Sequence, residues 1–220
     1  MLKAYHHTIY RLQSAMPRLL PGTLHTLPDR TAVAVTIDDG PVGENPSALL
    51  TYLAKEALTT TWFFSGEAVR RFPEYASEIA AGGHEVASHG FHHRSILRMA
   101  DGQLRDDVRR SLDAIEEATG QRPAFYRPPY GRILTRQMSL IRALGCRVVL
   151  WSKLPGDWNI RLHGATMHSR LSSVRGGDIV VLHDRPGGQQ RLIGHLRVLQ
   201  QGMRRRGLRP ISLAQSTGVK

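Results

Sequence analysis

Ala32-Val33-Ala34-Val35-Thr36-Ile37-Asp38-Asp39-Gly40-Pro41 runs an apolar, β-branched stretch directly into two adjacent carboxylates and a Gly-Pro pair. Val, Ile and Thr side chains suit a pleated, buried surface, so the run reads as a strand. Asp-Gly and Gly-Pro both punctuate chains, so the strand ends in a turn. Neighbouring carboxylates repel unless a cation or hydrogen bonds offset them, which makes this strand end a place to look for chemistry.

Outward from this stretch, strand-like and helix-like segments alternate. Further strands are expected at 60–65, 85–88, 124–126, 147–151, 178–182 and 208–213. Helical spacing occupies 46–57, with Asn45 as N-cap, and a stretch through 79 that stops at Gly82-Gly83. It returns at 101–119, closed by Gly120, and at 134–144, 165–174 and 189–206. Strands separated by crossovers long enough for helices pair in parallel, with the helices covering the sheet. An open doubly wound sheet and a barrel both satisfy that pattern.

The placement of reactive side chains decides between them. Asp38 and Asp39 end the first strand, and His89 and His93 follow the third. Arg127-Pro128-Pro129-Tyr130-Gly131 follows the fourth, Asp157-Trp158 the fifth, and His183-Asp184 the sixth. In a barrel the C-terminal ends of all strands converge on one face, where an active site lies. An open sheet would hold its outer strands too far apart. The expected fold is therefore α/β, a distorted (β/α)7 barrel.

His89 and His93 are spaced i, i+4, which would set both imidazoles on one face of a helical turn. That spacing recurs in metal sites, although 11 histidines also supply a background of chance pairs. Two imidazoles and one carboxylate leave coordination positions open for water and substrate, the pattern of a catalytic ion. The unligated member of the Asp38/Asp39 pair could then serve as base for a metal-bound water, and His183 could protonate a leaving group. Arg127 could orient the base, and Pro128-Pro129 would stiffen the loop around Tyr130.

A chain of 220 residues with a hydrophobic fraction of 41% can bury a core without disulfides. Its single cysteine, Cys146, reads as a small buried hydrophobe at a strand start. The net charge of +12 favours anionic partners, but no RNA-binding or zinc-finger pattern accompanies it, and no nucleic acid is expected. No stretch approaches the ~20 apolar residues of a membrane span. Leu2, Tyr5, Ile9, Leu12, Met16 and Leu19 form a stripe, so residues 1–29 are set apart from a 30–220 domain as a basic amphipathic segment. That segment either packs on the domain or makes peripheral membrane contact through residues 1–28. It has no continuous apolar core of the secretory kind, so a cytoplasmic location is expected.

From Thr31 to Ala214 the chain resembles the polysaccharide deacetylases, metal-dependent de-N-acetylases of chitin, chitooligosaccharides and peptidoglycan built on the NodB homology barrel. Thr36-Ile37-Asp38-Asp39-Gly40-Pro41 matches the first motif, and Gly83-His84-Glu85-Val86-Ala87-Ser88-His89 with His93 the second. Arg127-Pro128-Pro129-Tyr130-Gly131 is similar to the third, Asp157-Trp158 to the end of the fourth, and Val181-Leu182-His183 to the fifth. Leu154 stands where many members carry Asp. The resemblance implies Asp38 as general base, His183 as general acid, Arg127 against the base and Asp157 tuning the acid. It implies Asp39, His89 and His93 as metal ligands, and the Tyr130 N–H as an oxyanion donor. Tyr130, Pro129 and Trp158 make up the expected substrate-binding set. The expected cofactor is one divalent ion, Zn²⁺, with Co²⁺, Mn²⁺ or Ni²⁺ as alternatives. The expected substrate is an N-acetylated oligosaccharide or a related acylated amino sugar. Other readings are deacylation of a lipid-linked or small amide, or a non-catalytic carbohydrate-binding barrel.

Overall fold

The computed structural model describes residues 22–218 except 44, 160, 161 and 163. The amphipathic stripe expected in the N-terminal segment falls on residues 1–21 and so lies outside the described residues.

The strands are β1 (Ala32–Asp38), β2 (Thr61–Phe64), β3 (Glu85–Ser88), β4 (Phe125–Tyr126), β5 (Arg147–Val148), β6 (Ile179–His183) and β7 (Arg209–Pro210). They form a 7-stranded parallel sheet in the order β5-β4-β3-β2-β1-β6, with β7 beside the start of β1. The sheet curls on itself. Past β5 the chain leaves β4 and bridges Leu24 at Val149, then Val180 of β6 at Lys153. The strand expected over 147–151 is thus split, because its second half closes the barrel instead of extending the ladder.

Helices α1 (Ser47–Lys55), α2 (Gly66–Arg71), α3 (Pro73–Ala81), α4 (Asp101–Thr119), α5 (Thr135–Ala143), α6 (Ala165–Ser172) and α7 (Gln189–Arg204) fill the crossovers, and α8 (Leu213–Thr217) follows β7. The single helical stretch expected through 79 is two helices. Pro73, which has no N–H to continue a helix, takes the first position of a new one. The N-cap is Pro46 and not the expected Asn45, whose Oδ1 accepts the Ser47 N–H at 2.7 Å from one residue further out.

Side chains alternate across a strand, and here the alternation sorts the core into two layers. Val33, Val35 and Ile37 of β1 pack outward with Trp62, Val180 and Leu182 against Leu49 and Leu53 of α1 and Leu196 and Leu199 of α7. Ala32 and Ala34 point the other way and share the interior with Phe63, Ala87, Phe125, Val149 and Ile179. Small alanines beside large phenylalanines let the narrow interior fill without voids. Continuing that inward phase places Asp38, His89, Arg127 and His183 at the mouth of the barrel. Leu24 and Leu27 belong to this interior too, so barrel packing begins upstream of the boundary drawn at residue 30. No described helix is long and apolar enough to cross a membrane.

Phe63 is fully buried beneath the Arg127 guanidinium, 3.9 Å from its ring centre. Phe63→Ala is expected to cost about 3–5 kcal/mol, read as a lower urea midpoint at unchanged slope. A midpoint equal to that of the parent protein would contradict this account of the interior.

Candidate active site

Arg127 is fully buried at the barrel mouth, and both of its terminal nitrogens donate to the residues around it. Nη1 donates to Asp38 Oδ1 at 2.5 Å and to Thr36 Oγ1 at 2.8 Å, and Nη2 donates to the Leu150 carbonyl at 3.0 Å. Burial lowers its pKa, while the Asp38 carboxylate favours the charged form. Asp38 is itself only 2% exposed, so the guanidinium and the carboxylate are buried as a pair.

One residue further on, the chain turns through a left-handed Asp39, φ 77°, a conformation that costs a non-glycine residue about 1–2 kcal/mol and that Asp tolerates better than most. The turn sends the second carboxylate toward the histidines. Asp39 Oδ1 lies 3.1 Å from His93 Nε2 and 3.8 Å from His89 Nε2. Burial would raise the pKa of Asp39, but the contact with His93 and the charges of His183, His89 and His93 outweigh it and hold the carboxyl well below its usual range.

The histidines are not on a helix, contrary to the expectation from their spacing. The segment between β3 and the 3₁₀ turn Ile96–Arg98 is irregular, and His93 adopts φ 48°. The loop folds back so that the two rings lie 4.9 Å apart. His89 Nδ1 faces the Arg127 carbonyl at 2.7 Å, which makes that nitrogen the N–H donor and leaves Nε2 a free lone pair aimed at Asp39. Burial lowers the His89 pKa and so favours the neutral, ligating form.

One ligand atom each from Asp39, His89 and His93 falls within 4.8 Å of the others. Asp39 Oδ1 is buried and accepts no hydrogen bond of good geometry from the described residues. An orphaned carboxylate oxygen facing two imidazole nitrogens is the donor set of a divalent cation, and these residues fit one.

On the opposite side, Asp157 grips His183 twice. Its Oδ1 meets Nδ1 at 2.8 Å, and its Oδ2 accepts the His183 backbone N–H at 2.8 Å. Burial would lower the imidazole pKa, but the Asp157 charge and hydrogen bond prevail, and it is pushed up to about 9. The Trp158 ring stands edge-on to His183 at 5.2 Å.

These side chains surround a cavity of about 230 Å³. Tyr130 forms its rim, 56% exposed, in a left-handed conformation (φ 62°) with its ring 5.0 Å from that of His93. Gly131 must be glycine, because φ is 65° and a Cβ would lie 2.1 Å from the Trp151 ring. Pro129, in the expected substrate-binding set, is buried and is not among the residues lining the cavity. Arg127 and Asp157 likewise stand behind the wall and act through Asp38 and His183. Leu154 is buried with Leu150, Trp151 and Val181, making that side of the cavity apolar.

The sequence reading assigned no role to Trp151, Asp184 or Arg185. Trp151 and Arg185 line the cavity. Asp184 is buried below it, accepting the Tyr75 hydroxyl at 2.9 Å and the Val42 N–H at 3.2 Å, and burial pushes its carboxyl up to about 7. It ties the end of β6 to the turn after Asp39. Trp151 shares the parity of Val149 and could have been found from it, whereas Asp184 and Arg185 carried only adjacency to His183.

The sequence pattern defining the polysaccharide deacetylases matches residues 26–149. A peptidoglycan-N-acetylglucosamine deacetylase of Bacillus cereus is 28% identical over 160 residues, 73% of this chain and 58% of the relative, so the chain spans little more than half that protein's length. A chitooligosaccharide deacetylase of a Bradyrhizobium species is 33% identical over 162 residues, covering 73% of this chain and 74% of the relative. The crystal structure of the Bc1960 peptidoglycan N-acetylglucosamine deacetylase superposes with a TM-score of 0.84 at 26% identity, over 90% of this chain and 94% of that one. Motif residues, barrel and relatives agree, and the chain belongs to the polysaccharide deacetylase family.

Proposed function

We propose that the protein removes N-acetyl groups from N-acetylglucosamine-type saccharides, releasing acetate and a free amino sugar. The observation that carries this reading is the division of three carboxylates around one cavity, with Asp38 on Arg127, Asp39 facing two imidazoles and Asp157 on His183. Relatives that act on such sugars support it, as does the metal dependence of the family. Asp39, His89 and His93 would hold one divalent ion, Zn²⁺ or alternatively Co²⁺, Mn²⁺ or Ni²⁺. Bound there, the ion supplies Lewis-acid polarisation of the amide carbonyl and acidifies the attacking water.

The remaining steps belong to the chain. Asp38, oriented by Arg127, takes a proton from the water as its oxygen attacks the carbonyl carbon. The Tyr130 N–H donates to the oxyanion that develops. His183, protonated at neutral pH because Asp157 holds Nδ1–H, gives its Nε2 proton to the departing amine as the C–N bond breaks. Trp158 and Tyr130 bound the space for the sugar, and Arg127 and Asp157 act as positioning residues.

Asp38→Asn is expected to keep the metal and to lower acetate release from an N-acetylglucosamine oligomer by about 10²–10⁴-fold. Full turnover in that variant, with metal content verified by elemental analysis, would remove the base assignment. In the metal-free protein, His183 is expected to titrate near its raised value of about 9, and Asp157→Asn to bring it down. Since the folded pKa is raised, this imidazolium stabilises the fold fully below the unfolded value of about 6.5, and the contribution fades as pH rises through about 9. NMR titration of the imidazole checks this, and a His183 midpoint that ignores the Asp157 substitution would refute the coupling.

A further inference from the structure

Arg185 lies two residues past His183, the last residue of β6, and is the one charged side chain on the described cavity wall without a role in the proposed reaction. Its side chain is 49% exposed, and its only ion pair among the described residues is a 3.5 Å contact from Nη2 to Asp39 Oδ2. That partner is already committed, because Asp39 faces both imidazoles and is the carboxylate an ion would claim. The other cavity carboxylates are matched as well, Asp38 by Arg127 and Asp157 by His183. Across the cavity, Trp151, Leu154 and Val181 offer no counter-charge. Among the described residues, the guanidinium at the mouth of the cavity therefore has no carboxylate of its own, only a shared one. Its planar fork matches a carboxylate or phosphate.

We propose that Arg185 is a specificity residue that binds an anionic substituent, a carboxylate or a phosphate, carried by the acylated amino sugar; the inference rests on the deacetylase reading. The surplus of positive charge, +12 over the chain, would steer such substrates toward the mouth. Neutral oligomers would enter the same cavity without using this contact.

The test uses the metal-loaded protein and three N-acetylglucosamine oligomers, one neutral, one bearing an ether-linked carboxylate and one bearing a phosphate. Two readouts are the kcat/KM ratio of each anionic oligomer to the neutral one, and the same ratio of affinities for the de-N-acetylated products by calorimetry. The parent protein is expected to favour at least one anionic oligomer by about tenfold in both readouts. Arg185→Gln should bring the ratio to about one, Arg185→Glu should invert it, and Arg185→Lys should retain part of it. Which anionic arm responds identifies the substituent. A parent ratio near one, or a preference that survives Arg185→Gln because all oligomers change alike, would overturn the inference while leaving the deacetylase reading intact. No acetate from any oligomer would overturn both.

Discussion

A guanidinium buried in a closed barrel has no water to satisfy it, and Arg127 must find every partner inside the protein. That requirement organises the site. Thr36 and Asp38 of β1, the Leu150 carbonyl beyond β5 and the Phe63 ring of β2 come together around one side chain. The backbone of the same residue performs a second task, its carbonyl fixing the tautomer of His89. One residue just past β4 therefore sets the aim of the proposed base and frees the lone pair of a histidine that would ligate the proposed ion. Disturbing this pair would leave one buried charge unmatched, which costs more than the pair itself contributes.

From that centre the remaining charges sort by environment. Three aspartates of identical chemistry take three roles because each meets a different neighbour. Asp38 meets a permanent cation, Asp39 two imidazole nitrogens, and Asp157 the Nδ1 and backbone N–H of His183. The consequence is an imidazole raised to about 9 and a carboxylate bound by a guanidinium, both lining one cavity of about 230 Å³. An acid and a base pushed apart in this way are what amide hydrolysis at neutral pH requires. The third ingredient, the proposed ion site, comes from a left-handed aspartate turn and an irregular histidine loop, two of the places where a non-glycine residue adopts positive φ.

Much of this was legible in the chain, for identifiable reasons. Apolar runs broken by Gly and Pro marked the strands, and reactive residues clustered after them, so the barrel could be inferred from where chemistry had to converge. The β1 run survives in the structure almost residue for residue because a central strand is decided by its own β-branched side chains. The 147–151 strand does not, because Val149 to Lys153 is pulled away by partners distant in sequence, Leu24 and Val180. The histidine pair was found for a partly mistaken reason. Spacing i, i+4 pointed to a helical turn, whereas a left-handed His93 and a folded loop bring the rings together. Pro129, part of the expected substrate-binding set, is buried outside the cavity lining, a placement that residue type alone does not indicate.

By itself, then, the sequence determined the element order, the parallel sheet and the identity of the motif residues, since these depend on local periodicity and residue chemistry. Tertiary structure alone decided which carboxylate meets which partner, how the sheet closes, and that Arg185 stands at the cavity mouth beside a carboxylate with other claims on it. These are questions of distance between groups far apart in the chain, such as Asp39 and Arg185, separated by 146 positions. Nothing in local propensity encodes a distance of that kind, which exists only once the barrel has closed.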